Sequence, residues 1–564
     1  MEPKTLVDVL RQHAAGEFAQ ARRGYYQPST RQVQWVPVGD IAREAFGFAR
    51  LLREELPSRR SICLLHNLES RAQTVSILAA MAAGSAPLVL PRNAFERGTR
   101  AFVEWVNGIF DSPPLIISET LRDPELPFRV TDGSVARATQ EKSDAPPATP
   151  DRIAHFQCTS ATTGSSKVAR ITHDNVLCNV RAIATAVGGR SADEVMCSWL
   201  PLYHDMGLIA CEFMPLVHGY PHVSMRAYDF LRRPSSWLRL ISECRGTLSP
   251  APNFAFQYAA DHAQDDELEG VSLETWRAAY NGAEPVRVGT LRKFFERFAK
   301  FGFRAKTFCP CYGLAEATLA VSIAFDHESR YVVVDRNSVK LNGRLGVRAE
   351  GNAFDPAGVP TAGDDELLVI SCGPVVSDTS VSLDLGREGE TNEENVVGEI
   401  VVRGRSVFDG YASREDAPAV PAIADKVHTG DLGFLHQGEL YIVDRLKNIV
   451  IIKGVNYPAA DLEERVAAAV GMDVEAVMVF EEAIAGDRDA VVAVVETGAE
   501  APAIGAEALQ ALSGLLTAIH CIKRRALPKT TSGKKQHHLC RALLASGRLP
   551  ILRTIPLSAA PASA

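Results

Sequence analysis

Short apolar runs alternate with amphipathic segments along most of the chain, which is the pattern of an α/β protein. Residues 173–187, HDNVLCNVRAIATAV, place valine and isoleucine at helical spacing, and Thr172 or Asp174 can cap the predicted helix. Residues 290–302, TLRKFFERFAKFG, predict a second amphipathic helix that ends at Gly302.

The pattern changes after about residue 445, where the sequence predicts a compact α/β unit. There NIVIIKG predicts a strand, PAADLEERVAAAV predicts a helix that Pro458 opens at its first turn, and DAVVAVVE predicts a further strand. We therefore expect an α/β fold whose large N-terminal domain, residues 1–445, contains several subdomains with mixed sheets flanked by helices. A small mobile α/β domain is predicted over residues 446–546, and residues 547–564 are predicted to form a flexible tail.

The composition limits the function classes. A chain of 564 residues is too long for one hydrophobic core, so at least two domains are expected. The formal net charge of −8 and the lack of long Lys/Arg runs argue against nucleic-acid binding, which needs basic patches. The N-terminus has no apolar segment of a secretory signal, and the most apolar run, residues 76–91, is too short for a transmembrane segment; it predicts a buried helix followed by a strand. The 11 cysteines are scattered and odd in number, which predicts free thiols and a cytoplasmic protein.

One loop carries candidate chemistry. Residues 157–170, QCTSATTGSSKVAR, follow a strand-like run at 153–156 and combine two hydroxyl pairs, a glycine and a lysine. Gly164 allows a tight turn whose N–H groups converge on an anion, the hydroxyls add donors, and Lys167 adds a charge suited to a polyphosphate. The glycine–lysine spacing of a Walker loop is absent, so the turn by itself fits a surface loop as well as a phosphate site.

Further motifs follow in order: WLPLYHDMGLI at 199–209, YNGAEPV at 280–286, CPCYGLAEATLAVS at 309–322, HTGDLGF at 428–434, VDRLKNIVIIKG at 443–454 and LPKTTSGKKQ at 527–536. The third sets its tyrosine, glycine and glutamate at the head of a helix-like pattern. In this order the segments resemble the adenylate-forming superfamily of acyl-CoA synthetases, nonribosomal adenylation domains and luciferases. PLYHDMGLI, NGAEPV and PCYGLAEATLAVS are characteristic of one branch, the fatty acyl-AMP ligases. The resemblance covers nearly the whole chain, from TLVDVLRQHA to SGKKQHHLCR.

The resemblance implies a reaction in which the carboxylate of a fatty acid attacks the α-phosphorus of ATP, with Mg²⁺ present, so that pyrophosphate leaves and an acyl-AMP forms. The acyl group then passes to the phosphopantetheine thiol of a holo acyl carrier protein. By resemblance, the phosphates are bound by Thr159, Ser160, Thr162, Thr163, Gly164 and Lys167; adenine and ribose by Ala283, Glu284, Pro285, Tyr312, Gly313, Asp431 and Arg445; and Mg²⁺ by Glu316. Lys534 and His204 are the implied catalytic residues, and Lys447 is the implied hinge at which the C-terminal domain reorients.

Each of these residues also has a simpler structural explanation. A solvated surface position accounts for a lone Glu316 or Lys534, and a core position accounts for Tyr312 or His204. Lys535, next to Lys534, leaves the choice of catalytic lysine ambiguous, although the position after the glycine matches the family.

The sequence also leaves open which acceptor receives the acyl group and whether the protein is catalytic. Residues 330–372 resemble an extra segment of the fatty acyl-AMP ligases that implies hindered transfer to free CoA; without that hindrance the chain would be an acyl-CoA ligase. A non-catalytic acyl- or nucleotide-binding homologue is the third possibility, because Ala161 and Val168 stand where the family usually has glycine. Other departures from the family pattern are Pro250, His537 and His538.

Overall fold

The computed structural model describes residues 2–56, 62–68, 70–133, 152–159, 167–189, 193–327, 329–360, 362–413, 426–452, 455–484, 488–497, 505–529 and 533–557. Within these residues the α-helices are α1 Leu6–Ala14, α2 Val38–Glu55, α3 Ser70–Ala82, α4 Thr99–Asn107, α5 His173–Ala186, α6 Met214–His218, α7 Ala227–Arg232, α8 Ser235–Glu243, α9 Asn253–His262, α10 Val288–Phe298, α11 Ala459–Val470, α12 Ala506–Ser513 and α13 His537–Ala545. A π-helix covers Met206–Phe213, and short 3₁₀ turns include Ala315–Ala317 and Leu446–Asn448.

The strands are β1 Arg22–Gln27, β2 Gln32–Pro37, β3 Cys63–His66, β4 Pro87–Val89, β5 Leu115–Ser118, β6 Arg129–Thr131, β7 Ile153–Cys158, β8 Val168–Thr172, β9 Met196–Ser198, β10 His222–Ser224, β11 Leu248–Pro252, β12 Ala278–Gly282, β13 Phe308–Gly313, β14 Ala320–Ile323, β15 Arg330–Asp335, β16 Val347–Asn352, β17 Glu366–Ile370, β18 Thr379–Asp384, β19 Glu390–Thr391, β20 Gly398–Gly404, β21 Lys426–His436, β22 Glu439–Arg445, β23 Ile449–Ile452, β24 Val455–Pro458, β25 Val477–Ile484, β26 Arg488–Thr497, β27 Ala518–Lys523 and β28 Ile551–Pro556.

These strands form sheets of different sizes. The two largest have the orders β14-β13-β12-β11-β9-β10-β1-β2 and β6-β5-β3-β4-β7-β8. A third has the order β19-β18-β20-β21-β22, and β16-β15-β17 forms a small antiparallel sheet. The C-terminal part contains the β23–β24 hairpin and the sheet β25-β26-β27-β28. The predicted α/β class with mixed sheets is confirmed.

The main core lies between the two largest sheets. One buried cluster joins α2, α3 and α5 to β3 and β8 of one sheet and to β11 and β12 of the other. The parallel strands of these sheets are therefore covered by packed side chains, as parallel strands require. Strands β11, β12 and β13 are parallel neighbours, so their carboxyl ends meet at one edge of the larger sheet.

Helix α5 confirms the periodicity argument. It begins immediately after Thr172, whose hydroxyl accepts a hydrogen bond from the N–H of Asn175 (3.1 Å), while the Asn175 side chain accepts one from the N–H of Thr172 (2.9 Å). This reciprocal capping box identifies Thr172 as the cap. Asp174, the other candidate, pairs with Arg405 instead (2.6 Å).

The helix-like pattern predicted after Tyr312 is wrong. The chain leaves β13 at Gly313, makes the Ala315–Ala317 turn, and returns as β14, which pairs antiparallel with β13. Thr318, at φ 67°, reverses the chain between them. Alanine, leucine and glutamate favour helix locally, but an available sheet edge outweighs that weak preference.

The flexible tail predicted for 547–564 is wrong for its first part. Strand β28 pairs antiparallel with β27, and Leu549 and Leu557 on either side of it are buried. Most side chains of β28 are exposed, so no apolar periodicity marks the strand in the sequence. The last residues, 558–564, lie outside the described part of the chain.

Beyond residue 445 the predicted elements are present. NIVIIKG contains β23, DAVVAVVE lies within β26, and α11 begins at Ala459, with Pro458 as its N-cap residue rather than in its first turn. This part has buried clusters of its own, formed by the β25–β28 sheet with α11, α12 and α13. The predicted domain limits themselves stay predictions.

In the described part of the chain, every helix is too short or too polar to cross a bilayer.

Candidate active site

A cavity of about 710 Å³ opens where the carboxyl ends of β11–β13 meet β21, β22 and the C-terminal helices α11 and α13. It collects most of the residues that the sequence singled out, because Thr159, Lys167, His204, Ala283, Glu284, Pro285, Tyr312, Gly313, Glu316, Asp431, Arg445, Lys447 and Lys534 all line it. The remaining predicted phosphate-binding residues, Ser160, Thr162, Thr163 and Gly164, lie outside the described residues, as does Ala161. Motifs far apart in sequence therefore share one cavity, and their individual roles stay predictions.

The strand ends place the predicted adenine-binding residues. Ala283 follows β12 directly and has φ 70°, a left-handed conformation that costs a non-glycine residue roughly 1–2 kcal/mol. Gly313 ends β13, and a Cβ atom there would lie 1.8 Å from the carbonyl oxygen of Leu319. Both turns are therefore tightly constrained, which fixes the backbone beside Tyr312 and Pro285 at the cavity wall.

Asp431 is the centre of a buried polar cluster. The hydroxyl of Tyr312 donates a hydrogen bond to one carboxylate oxygen (2.6 Å), and Nε of Arg445 lies 3.2 Å from the other. Burial raises the pKa of Asp431, and the Arg445 charge and the Tyr312 hydrogen bond oppose that rise. A carboxylate has about four acceptor positions, so Asp431 keeps capacity for two further donors such as ribose hydroxyls.

Glu316 and Lys167 are connected through Tyr411. The Tyr411 hydroxyl donates to Oε1 of Glu316 (2.7 Å), and Nζ of Lys167 lies 4.6 Å from the centroid of the Tyr411 ring. The N–H of Thr159 donates to the carbonyl oxygen of Lys167 (2.9 Å), which closes the base of the β7–β8 loop. Sequence reasoning missed Tyr411, because it belongs to none of the recognised motifs. Backbone contacts with β8, among them the bridge between Ala169 and Tyr411, bring it to the site.

His204 and Lys534 face the same region. Burial, with a further contribution from the Lys534 charge, lowers the pKa of His204 to about 3, so the imidazole is neutral. Its Nε2 atom is buried and has no hydrogen-bond partner among the described residues. His204 lies just before the π-helix Met206–Phe213, a helix type that frequently occurs at functional sites. A neutral histidine next to a lysine can position an acid group without adding a second charge.

Glu284 has an unusual protonation equilibrium. Burial, with repulsion from Glu475, raises its pKa to about 7. The N–H of Phe254 donates a hydrogen bond to its Oε1 atom. Its carboxyl group is thus held by the protein, which leaves the backbone of the Ala283–Pro285 turn as the surface that can contact adenine.

Lys447, the predicted hinge, lies in the 3₁₀ turn Leu446–Asn448 that follows β22. Burial and the Arg445 charge lower its pKa to about 8, against the opposite effect of Asp431. The hinge prediction itself is not tested by this geometry.

Ion pairs hold the C-terminal part against the large domain. Arg287, which is 12% exposed, lies 2.6 Å from Glu464 and 3.3 Å from Glu475. Arg336, in the segment predicted as an insertion, lies 2.9 Å from Asp461. Sequence reasoning missed both arginines, because their partners lie more than a hundred positions away. These pairs join the large domain to the C-terminal part, which carries Lys534.

Three of the departures from the family pattern, Val168, Pro250 and His537, have local explanations. Val168 begins β8 and is buried in the core, so its side chain serves packing. Strand β11 pairs with β9 only at Leu248, and Pro250 lies two residues further along β11. The missing N–H of Pro250 therefore interrupts no hydrogen-bond ladder between β11 and β9. His537 lies 2.7 Å from Glu463.

Comparison with known proteins agrees with this geometry. The sequence pattern described as AMP-binding enzyme matches residues 34–412. The chain belongs to the AMP-binding enzyme family.

Within the AMP-binding enzymes, the chain is similar to proteins of fatty-acid activation. It is 31% identical over 459 residues to the medium-chain-fatty-acid–[acyl-carrier-protein] ligase TtuA of Teredinibacter turnerae, covering 76% of this chain and 69% of TtuA. It is 30% identical over 472 residues to the long-chain-fatty-acid–AMP ligase FadD28 of Mycobacterium tuberculosis, covering 76% of this chain and 74% of FadD28.

Among solved structures, one from a study of fatty acyl-adenylate ligases of E. coli and L. pneumophila matches with a TM-score of 0.80 and 26% identity, over 96% of this chain and 98% of that chain. The predicted resemblance to the fatty acyl-AMP ligases is confirmed.

Proposed function

We propose that this AMP-binding enzyme is a fatty acyl-AMP ligase, which converts a fatty acid and ATP to an acyl-adenylate and pyrophosphate and then transfers the acyl group to the phosphopantetheine thiol of an acyl carrier protein. One observation carries the proposal: Lys534, from the C-terminal part, lines the same cavity as the Asp431 cluster and an apolar wall of the large domain. The names of TtuA and FadD28 support the same substrate class.

The chemistry follows from bringing two anions together. A carboxylate must approach a phosphate that also carries negative charge, and the repulsion between them opposes the attack. Lys534 places a positive charge within range of His204, Glu284 and Asp431. An ammonium group there neutralises the charge that the carboxylate and the α-phosphate share, which stabilises the transition state directly.

The nucleotide is held by groups of complementary type. Asp431 accepts the ribose hydroxyls, Arg445 supports Asp431, and the Tyr312 ring packs against adenine. Lys167 contributes positive charge beside the polyphosphate. These assignments combine the family resemblance with the shared cavity, and the cytoplasmic location remains a prediction.

Glu316 fits a Mg²⁺ site. Mg²⁺ is usually bound through one or two carboxylates together with substrate phosphates, and it keeps several waters. Glu316 supplies one carboxylate, and the hydrogen bond from Tyr411 to Oε1 orients it toward the side of the cavity that Lys167 lines. Bound there, Mg²⁺ would neutralise charge on the phosphates.

The second candidate function, an acyl-CoA ligase, differs in the acceptor of the acyl group. The segment predicted as an insertion forms β15, β16 and β17, and it contacts α11 through Arg336 and through the pair of Asp364 with Arg465 (2.7 Å). A segment attached to the C-terminal part can restrict how that part opens for an acceptor. We therefore favour a carrier protein over free CoA.

The test offers both acceptors to the full-length protein. The protein is incubated with ATP, Mg²⁺ and octanoate, and then with either CoA or a holo acyl carrier protein. Pyrophosphate release measures adenylation, and mass spectrometry identifies the thioester. We expect acylated carrier protein and little acyl-CoA. Abundant acyl-CoA without acylated carrier protein would establish the CoA ligase. A lack of pyrophosphate with every alkanoate would refute adenylation.

A further inference from the structure

Part of the cavity wall is apolar, and we call the space beside it the apolar branch. Its walls come from α5, the π-helix and strands of the largest sheet: Ile183, Met206, Ala210, Pro250, Cys311 and Ile323. Apolar walls of this kind suit a hydrocarbon chain. On the proposed function, the branch receives the alkyl part of the acid.

Tyr280, in the middle of β12, also lines the cavity. It lies opposite Pro250 of β11 and Cys309 of β13 in the sheet register. The residue is only 4% exposed. Its hydroxyl is buried and has no hydrogen-bond partner in the described part of the chain. Tyr280 therefore offers the cavity no solvent-exposed hydroxyl.

The region behind Tyr280 is packed. Ala278, two positions earlier, is on the same face of the sheet, and Leu248 is its neighbour in β11; both are buried, and neither lines the cavity. Arg277 and Glu194 form an ion pair whose charges reach the Tyr280 phenol. Buried side chains that do not line the cavity therefore lie next to Tyr280 on this face of the sheet.

We propose that Tyr280 is the floor of the acyl site and sets its maximum chain length, so that the substrates are medium-length alkanoic acids. The inference rests on the proposed function and names its substrate class. Ala283, at the nucleotide side, and Tyr280 are separated by about 10 Å at roughly 3.3 Å per strand residue. This distance along the chain is close to the reach of an octanoyl chain.

The test compares chain-length profiles of full-length variants. Pyrophosphate release is measured with hexanoate, octanoate, decanoate, dodecanoate and hexadecanoate for the wild type and for Tyr280→Ala, Tyr280→Leu and Tyr280→Phe. The wild type is expected to have its maximum kcat/KM at a medium-length acid. Tyr280→Ala moves the maximum to longer acids, because each methylene that gains burial contributes about fourfold in kcat/KM. Tyr280→Leu moves it in the same direction by less, and Tyr280→Phe keeps the wild-type maximum because the ring remains.

The outcomes separate this inference from the proposed function. Pyrophosphate release by the wild type with a medium-length acid, together with an unchanged profile in Tyr280→Ala and Tyr280→Leu, would overturn the floor but leave the function intact. Equal kcat/KM values of the wild type for hexadecanoate and octanoate would also overturn the proposal that Tyr280 limits the chain length. If Tyr280→Ala does not fold, as judged by its thermal transition, the comparison of Tyr280→Leu with Tyr280→Phe decides the question alone.

Discussion

Lys534 and Lys535 are adjacent, yet their surroundings differ. Nζ of Lys535 lies 2.6 Å from Oε2 of Glu463 and donates to the carbonyl oxygen of Val474 (2.7 Å), so it stabilises the C-terminal part from within. The Lys534 charge instead acts on His204 and Asp431 in the cavity. The sequence left the choice between the two lysines ambiguous, and their contacts favour Lys534 as the catalytic one.

Replacing Lys534 with alanine tests this choice. We expect pyrophosphate release to fall by about a hundredfold or more, because a preorganised charge at the reacting phosphate is lost. Nucleotide binding, measured by isothermal titration with ATP, should change little. Lys529→Ala is the matched control, since Lys529 is an exposed lysine of the same turn. Equal rates for the two variants would show that Lys534 has no catalytic role.

Glu284 predicts a pH dependence of stability. Its folded-state pKa is about 7, against an ordinary value of 4.5, so between these values the folded protein keeps a proton that the unfolded chain releases. This contribution to stability is present at low pH, falls as the pH rises through that window, and is lost above about pH 7.

Glu284→Gln removes the titration and retains an acceptor for the N–H of Phe254. The Tm of the variant minus that of the wild type should therefore become more positive between about pH 5 and about pH 8. Glu269→Gln, at an exposed glutamate, is the control and should show a constant difference. A constant difference for Glu284→Gln would mean that burial does not raise this pKa.

At the scale of elements, the hairpin of β13 and β14 shows how close packing shapes the site. Gly313 approaches the carbonyl oxygen of Leu319 so closely that any side chain must displace the turn. The same turn carries Glu316 and follows Tyr312, so its geometry decides where both side chains lie. Sequence periodicity predicted α5 correctly but failed for β14 and β28, because sheet pairing, not amphipathicity, stabilises those two strands.

Gly313→Ala is expected to lower stability by about 3 kcal/mol, since overpacking against backbone cannot be relieved by a rotamer change. The Tm should fall by roughly 3 °C, and pyrophosphate release should fall with it. Gly289→Ala provides the control: Gly289 lies in α10 with no atom within 4 Å of the added Cβ, and alanine favours helix there. An unaffected Gly313→Ala variant would refute the steric argument.

At the scale of the whole molecule, the arrangement of the two parts completes the site. Arg287 of the large domain is surrounded by Glu463, Glu464 and Glu475 of the C-terminal part, and its Nη2 lies 4.0 Å from Glu463. Removing one partner of a buried ion pair is costly, because the remaining charges lose their compensation. Glu464 and Glu475 would lose the charge that pairs with them across the contact, whereas Glu463 keeps Lys535, so the contact between the two parts would weaken.

Arg287→Ala should therefore reduce adenylation by about tenfold or more, because Lys534 reaches the cavity only while the two parts are in contact. Limited proteolysis should also cleave between the two parts faster in the variant. Arg100→Ala is the control, since Arg100 makes an exposed pair with Glu104 (3.0 Å) that contributes little to stability. Wild-type rates of both proteolysis and adenylation would show that Arg287 is not needed for the arrangement.

The sequence by itself determined the α/β class, the capped helix α5, the order of the motifs and the family resemblance, because these depend on local periodicity and on residue spacing. It also identified many of the residues that line the cavity, because those residues lie within the recognised motifs. Only the tertiary structure decided that Tyr411 joins Glu316 to Lys167, that Arg287 and Arg336 hold the C-terminal part, and that Tyr280 lines the cavity. These contacts connect residues far apart in the chain, and the free energy that selects them comes from packing and charge pairing, which no local pattern encodes.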